Sequence, residues 1–217
     1  MAADDSLAVP ARVGSVGRYQ QLAPSRYTLA GLTNEMNDSE AFVDRRLLSF
    51  GLRPEPFSKE EMRARKTPDR RVYRDRELLF LLEVKEVAAD EWLGGERSDP
   101  RFNRLSADVH EAVKQFDSVN PDRQLPNVLA FVNRDSMCDS RDLLGVLTGY
   151  ALTTEGEKLA LYEKYSLGRI REERFRVDTY LWLEETGTFQ VFLNDADTRH
   201  SSHLWSEFKA IVDGLTG

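Results

Sequence analysis

The chain has 217 residues, of which 41% are hydrophobic and 31% charged, and its formal net charge is −7. This length and composition predict one globular domain with a substantial core. They argue against a protein coated in positive charge for indiscriminate nucleic-acid binding, but not against a local basic patch.

Several classes of protein lack support in the sequence. No apolar run approaches the roughly 20 residues that a membrane span needs, and the start, MAADDSLAVPAR, has no apolar segment of the kind found in secretory signals. We therefore expect a cytoplasmic protein without membrane contact. The single cysteine, Cys138, excludes an internal disulfide and is typical of a small buried side chain. The motifs of serine hydrolases, P-loop enzymes and dinucleotide-binding enzymes are missing.

The first predicted elements are a lead-in, a helix and a hairpin. Residues 1–26 show little periodicity and predict a loosely ordered segment before a single domain over 27–217. Asn-Asp-Ser at 37–39 is a typical helix cap, after which apolar residues recur at helical spacing until Gly51. A polar turn at 74–77 then leads into the apolar run at 78–82, which predicts a hairpin.

The rest of the chain alternates helix and strand. The predicted elements are a helix around Leu105, Val109, Val113 and Phe116, a buried strand over 127–132, a helix over 142–152, a hairpin of 175–183 with 189–193, and a final helix over 204–215. This order predicts an α/β domain in which a central mixed β-sheet is flanked by helices.

The apolar run at 78–82 continues directly into Glu83, Val84 and Lys85. Side chains at i and i+2 of a strand share a face, so Glu83 and Lys85 are expected to project together from the end of a buried strand. Asp69 lies fourteen positions before Glu83 on the preceding hairpin strand and can come alongside it. Carboxylates there can bind a hard cation such as Mg²⁺, and the ammonium can steady a water nucleophile or a developing negative charge.

Pro68-Asp69 followed by Glu83-Val84-Lys85, with Glu40 on a preceding helix, resembles the signature of the PD-(D/E)XK nuclease superfamily. The pattern Glu40-x-x-Val43-x-x-x-Leu47-x-x-x-Gly51 extends the resemblance, which covers about 35–132 and leaves 140–217 as a C-terminal extension. It implies a restriction-endonuclease-like fold and a hydrolase of nucleic-acid phosphodiesters that needs Mg²⁺ or Mn²⁺. The choice between DNA and RNA stays open at this point, with DNA favoured. The resemblance also leaves open endonuclease or exonuclease action, and action as a monomer, a homodimer or part of a larger complex.

The resemblance also implies residue roles. Asp69 and Glu83 would be metal ligands, with the backbone carbonyl of Val84 as a third ligand. Lys85 would position the attacking water or stabilise the pentacovalent phosphorus, and Glu40 would complete the site or help to hold a second ion. Gln115 would be an auxiliary polar residue, although the Gln-x-x-x-Tyr pattern of one branch is absent because position 119 is valine.

Short motifs also arise by chance, and the chain contains its own controls. Glu-x-Lys is expected on the order of once in a chain of this length, and Glu207-Phe208-Lys209 is a second copy. That copy falls on a predicted helix, where side chains at i and i+2 diverge. Pro121-Asp122 repeats the other half of the motif within a turn. The alternative interpretation of Glu83 and Lys85 is a solvated ion pair that ends a strand.

A basic run accompanies the motif. The candidate nucleic-acid-binding residues in it are Arg63, Arg65, Lys66, Arg70, Arg71 and Arg74. Arginine forks suit phosphate oxygens, so this run is expected to hold a polyanion close to Asp69. The alternative is a charged edge strand that is protected from aggregation.

Two rival functions follow from the same residues. One is a non-catalytic module that keeps the nuclease fold and binds nucleic acid or a protein. The other is an activity on different phosphates, or one that exists only inside a larger complex. Other candidate residues are weaker: His200 and His203 suit surface or capping roles, His110 lacks support as a general base, and Trp182, Phe189 and Phe192 favour the core.

Overall fold

The computed structural model describes residues 38–89, 100–152, 157–160, 170–186 and 189–194, together with positions 209 and 213. The predicted lead-in at 1–26, His200, His203 and nearly all of the predicted final helix lie outside the described residues. Among the helices within those ranges, none has the length and apolar character to cross a membrane.

Helices and strands follow one another in the order that an α/β domain requires. The elements are α1 (Asp38–Ser49), β1 (Arg53–Pro56), α2 (Lys59–Ala64), β2 (Arg70–Arg74), β3 (Glu77–Val87), α3 (Pro100–Val119), β4 (Asn127–Asn133), α4 (Ser140–Thr148), β5 (Tyr150–Leu152), β6 (Lys158–Ala160), α5 (Ile170–Glu173), β7 (Thr179–Glu184) and β8 (Phe189–Leu193).

Six of the strands form one sheet in the order β1-β2-β3-β4-β7-β8. The first three strands are antiparallel neighbours, β3, β4 and β7 run parallel, and β8 returns antiparallel to β7. Strands β5 and β6 pair separately. The predicted mixed sheet flanked by helices is confirmed.

Two apolar clusters cover the two faces of this sheet. Val43 and Leu47 of α1 pack with Leu82 and Val84 on one face. On the other face, α3, α4 and α5 pack with residues such as Trp182. Every residue of β4 is buried, because a central parallel strand is covered on both sides.

The predicted first helix and hairpin are confirmed. Helix α1 ends at Ser49, and Gly51 adopts a φ of +72°, in the left-handed region where glycine follows helices. Strands β2 and β3 are joined through Asp75 and Arg76, and Asp75 has a φ of +53°, a region that aspartate tolerates better than most residues.

Two element boundaries predicted from the sequence are wrong. The helix expected over 142–152 ends at Thr148, because Gly149 takes a left-handed conformation with a φ of +80° and the next three residues form β5. The strand expected from Phe175 begins only at Thr179, because Arg174–Arg176 form a 3-10 turn. Phe175 in that turn and Val177 after it alternate with polar residues, which is the pattern of a strand.

Candidate functional site

Hydrogen bonds between side chains and backbone link Asp69 to Glu83 and Val84 of β3. The backbone N–H of Asp69 donates a hydrogen bond to Oε2 of Glu83 at 3.1 Å. The backbone N–H of Val84 donates to Oδ2 of Asp69 at 2.7 Å. The two carboxylates are therefore held at one place, between the start of β2 and the middle of β3.

This place exists because β2 and β3 differ in length. Their pairing ends at Arg70 opposite Leu82, whereas β3 continues to Val87 beside β4. Beyond Leu82, the Asp69 side chain takes the position of a strand neighbour and binds the Val84 N–H. The N–H and C=O of one strand residue point to the same side, so the Val84 carbonyl faces the same gap as Asp69.

Glu83 and Lys85 lie on one face, as predicted, and the Lys85 Nζ is 2.7 Å from Oε1 of Glu83. The prediction that they project from the end of the strand is wrong. The strand continues past Lys85, paired with β4 as far as Val87 opposite Asn133, and Glu83 is only 2% exposed. The face that carries Glu83 also carries Leu81, which packs in the cluster that includes α3.

Burial and crowding perturb both acids. The pKa of Glu83 is raised to about 8, first by burial and then by the charge of Asp69, while Lys85 opposes both effects. Burial also raises the pKa of Asp69, against the hydrogen bond from the Val84 N–H. Burial acts to lower the pKa of Lys85. The charge of Glu83, together with smaller contributions, outweighs burial, so the pKa of Lys85 is raised. A divalent cation between the carboxylates would relieve their mutual repulsion.

Glu40 reaches the edge of this site from α1. Its Oε2 accepts a hydrogen bond from Arg70 Nη2 at 2.8 Å, and Arg70 Nη1 donates to the Asp69 carbonyl at 2.9 Å. The charge of Glu40 is close enough to raise the pKa of Asp69. The structure thus brings Glu40 near Asp69 by way of a guanidinium group that lies between them.

Arg70 is not part of a phosphate-binding surface. Its side chain is buried, with the residue 4% exposed, and its Nε lies 3.1 Å from an oxygen of Asp44. Arg70 pairs opposite Leu82 in the sheet, so its side chain lies on the face that α1 covers. It serves to hold α1 against β2, which corrects its inclusion among the nucleic-acid-binding residues.

The other basic residues lie closer to solvent. Arg63, Arg65 and Lys66 are exposed at the end of α2 and just after it; we call these three residues the α2 basic surface. The Lys66 Nζ is 3.3 Å from an oxygen of Glu111 on α3, and Arg65 donates to the Ser118 carbonyl at 3.2 Å. These two contacts tie the α2 basic surface to α3.

Arg71 and Arg74 are more enclosed. Arg71 pairs with Glu61 of α2, and its guanidinium carbon lies 3.8 Å from the centre of the Phe57 ring. Arg74 is half-buried near the turn of the hairpin. The predicted phosphate contacts of Arg71 and Arg74 stay predictions. Arg71 already forms an ion pair that links β2 to α2.

Gln115 of α3 contacts the site directly. Its Nε2 donates to the Thr67 carbonyl at 3.3 Å, and its proximity to Glu83 acts to lower the pKa of that acid. Its buried Oε1 has no hydrogen-bond partner among the described residues. Gln115 therefore ties α3 both to Glu83 and to the segment that carries Asp69.

Sequence reasoning missed Asp108, also on α3. Burial raises the pKa of Asp108 to about 6, while the nearby charges of Lys85 and Arg104 act to lower it. A signal was present, because Asp108 precedes Gln115 by seven residues and a spacing of seven returns to the same helix face. An acid on that face was not distinguished from the other polar residues of the helix.

The remaining candidates have structural surroundings. The Nδ1 of His110 lies 2.6 Å from Oε1 of Glu173. Burial raises the pKa of Cys138 to about 12, as expected of an inert buried thiol. Trp182 is fully buried, with its ring 6.0 Å from that of Phe131, so its predicted core role is confirmed.

The oxygen atoms of the site can be compared with the ligands that a divalent cation requires. Within the described part of the chain, no group of three or more His, Cys, Asp or Glu side chains is arranged to hold a metal. Asp69, Glu83 and the Val84 carbonyl instead supply two carboxylates and one backbone oxygen. Mg²⁺ is usually bound by one or two carboxylates together with waters and substrate phosphates. The residues therefore fit Mg²⁺ or Mn²⁺, and they do not fit a structural zinc.

The chemistry of the site thus rests on two carboxylates, a backbone carbonyl and an ammonium group at the gap between β2 and β3. Helix α3 closes one side of that gap through Gln115. Comparison of the chain with protein-family models, curated proteins and solved structures gave no match.

Proposed function

We propose that this protein is a metal-dependent nuclease that hydrolyses phosphodiester bonds of nucleic acid, with DNA as the expected substrate. The observation that carries the proposal is the convergence of Asp69, Glu83 and Lys85, with the carboxylates linked through backbone hydrogen bonds and the ammonium 2.7 Å from Glu83. The PD-(D/E)XK resemblance supports it, because it implies acids and a lysine on one strand pair of a restriction-endonuclease-like sheet.

Each residue has a role that follows from its contacts. Asp69, Glu83 and the Val84 carbonyl would hold Mg²⁺ or Mn²⁺, which when bound supplies charge neutralisation at the phosphate and a more acidic water. Lys85 would donate hydrogen bonds to the attacking water or to the phosphate oxygens as negative charge develops. Glu40 would support the site from the α1 side, and Gln115 would keep the Glu83 carboxylate oriented.

The substrate backbone has a matching surface nearby. The α2 basic surface lies on the segment immediately before Asp69, and its side chains are exposed. Basic side chains beside a metal site bind phosphates without reading bases. We therefore propose that Arg63, Arg65 and Lys66 bind the sugar-phosphate backbone while the scissile phosphate occupies the gap. Arg71 and Arg74 would bind phosphates further along β2.

The test is cleavage of DNA and RNA by purified protein with Mg²⁺ or Mn²⁺. Asp69→Asn and Lys85→Ala are expected to reduce the cleavage rate by roughly 100-fold or more, the usual effect of removing one electrostatic contributor to a reaction. Matched controls are Asp75→Asn in the exposed turn and Lys158→Ala in β6, which are expected to cleave as the wild type does. Chelation should abolish cleavage and added Mg²⁺ should restore it.

Unchanged cleavage in both site variants would contradict the proposal. If the wild type cleaves nothing, a Mn²⁺-binding titration decides between the alternatives. Binding that is abolished in Asp69→Asn would indicate an active constellation that needs another substrate or a larger complex. Absence of binding would favour the non-catalytic module.

A further inference from the structure

One face of α3 follows β3 along the candidate site. Arg104 Nη1 donates to the Ala88 carbonyl at 3.0 Å, just beyond the end of β3. Gln115, eleven residues later, lies close enough to Glu83 to act on its pKa. Eleven residues of helix and five residues of strand each span about 16 Å. Helix α3 and strand β3 therefore run side by side in opposite directions, and equal distances along them correspond.

This register fixes the level of Asp108. Asp108 follows Arg104 by four residues, which is about 6 Å along the helix. The same distance covers about two residues of strand and leads from Ala88 to Glu86 or Lys85. Glu86 lies on the α1 face, where its carboxylate binds Ser39 of α1 and Arg134. Lys85 is thus the strand residue that Asp108 faces.

The charges around Lys85 agree with this geometry. Three acids act on its ammonium: Glu83 of β3, Asp69 before β2 and Asp108 of α3. Arg104 is the other cation near Asp108. In the described part of the chain, no hydrogen bond to the Asp108 carboxylate is found. Asp108 is thus a partly buried acid that interacts with these two cations, one of them the lysine of the site.

We infer that Asp108 is a positioning residue that holds the Lys85 ammonium from the α3 side, opposite its contact with Glu83. The role rests on the nuclease function proposed above. A cation held at Glu83 would compete with Lys85 for the same carboxylate, and a second acid on α3 would then help to keep the ammonium in the gap. Asp108 supplies that acid from a separate element.

The interaction between Asp108 and Lys85 can be tested without any activity. Metal-free protein carrying ¹³C-ε-labelled lysine is titrated by NMR, and the Lys85 signal is assigned by its disappearance in Lys85→Ala. Asp108→Asn keeps the side-chain shape and removes the charge, so the Lys85 pKa is expected to fall. Asp122→Asn, in an exposed turn, is the matched control and should leave it unchanged. An unchanged Lys85 titration in Asp108→Asn would overturn the inference.

The role in catalysis is tested by single-turnover kinetics. Asp108→Asn is expected to lower the maximal rate about tenfold with KM nearly unchanged, and Asp108→Glu to restore most of it, provided that thermal unfolding confirms folding of each variant. In a Lys85→Gln background, Asp108→Asn should cause no further decrease, because residues that act as a unit are not additive.

The outcomes separate the two proposals. An equal decrease on Asp108→Asn with and without Lys85 would overturn the positioning role and leave the nuclease intact. Absence of cleavage by the wild type overturns the nuclease and with it the positioning role, whatever the NMR titration shows.

Discussion

At the scale of single residues, Glu83 is a side chain whose burial costs much hydration free energy. A carboxylate that is 2% exposed loses hydration that only hydrogen bonds and charges can replace. The Asp69 N–H, the Lys85 ammonium and Gln115 supply that replacement in part. Acids with pKa values perturbed in this way cluster at functional sites.

The metal-free protein is expected to lose stability as the pH rises through the range in which Glu83 titrates. The pKa of Glu83 is raised to about 8 in the folded state, from 4.5. The folded protein therefore binds this proton more tightly than the unfolded chain does. The resulting stability is present in full below pH 4.5 and is lost as the pH rises to 8. In Glu83→Gln, this decline of the free energy of unfolding should disappear.

The measurement is urea unfolding in the presence of a chelator at a series of pH values between 4.5 and 8.5. Glu60→Gln, on the exposed surface of α2, is the control and should follow the wild type. Parallel curves for wild type and Glu83→Gln would show that Glu83 does not carry this dependence.

Residue-level prediction from the sequence succeeded where strand periodicity applied. Glu83 and Lys85 share a face because side chains alternate along a strand. The same rule contained the answer for Arg70, since Arg70 shares a face with Val72, which is fully buried. The prediction that Arg70 binds phosphate rested on the number of arginines at 63–76 and not on their alternation along the strand. The guanidinium of Arg70 then had to be buried, and α1 supplies its two acids.

At the scale of elements, Arg70 joins α1 to the sheet beside the candidate site. It binds Glu40 and Asp44 of α1 and the carbonyl of Asp69. Removing one partner from such a buried set leaves the others without compensation. We predict that Arg70→Met lowers the free energy of unfolding by about 3–5 kcal/mol.

The measurement is equilibrium unfolding in urea, with Arg74→Ala as control. Arg74 is near the hairpin turn and less enclosed, so its change is expected to stay within about 0.5 kcal/mol. A stable Arg70→Met protein with weakened nucleic-acid binding would return Arg70 to the phosphate-binding residues.

Element boundaries show which part of the fold the sequence could predict. The Gly149 that ends α4 is a recognised stop signal, so the shorter helix was readable from the sequence. The end of β3 was not readable. The residues after Leu82 become charged, which locally suggests an exposed end, but β4 continues alongside and pairs with them. That pairing depends on a chain segment more than forty residues away along the sequence.

At the scale of the whole molecule, a net charge of −7 coexists with the α2 basic surface. Binding of nucleic acid should then depend on a few local cations and fall with salt as counterions are released. We predict that the double variant Arg63→Ala/Arg65→Ala weakens binding of duplex DNA in chelator. The slope of log affinity against log salt should decrease in magnitude by about 2, because each arginine is expected to neutralise one phosphate.

Arg141→Ala is the control, because Arg141 is an exposed arginine on α4 that pairs with Asp139. It should leave both the affinity and the slope unchanged. Equal slopes for the wild type and the double variant would show that DNA binds elsewhere or not at all.

The contact between Asp69 and Val84 has one more consequence. Where β2 departs from β3, the Asp69 side chain imitates the backbone carbonyl of a missing neighbouring strand. Any residue with an oxygen acceptor at this position would complete that imitation. Only a carboxylate adds a second oxygen with negative charge. Asparagine at position 69 therefore separates two duties of one side chain, because it preserves the mimicry of a strand and removes the charge that a cation needs.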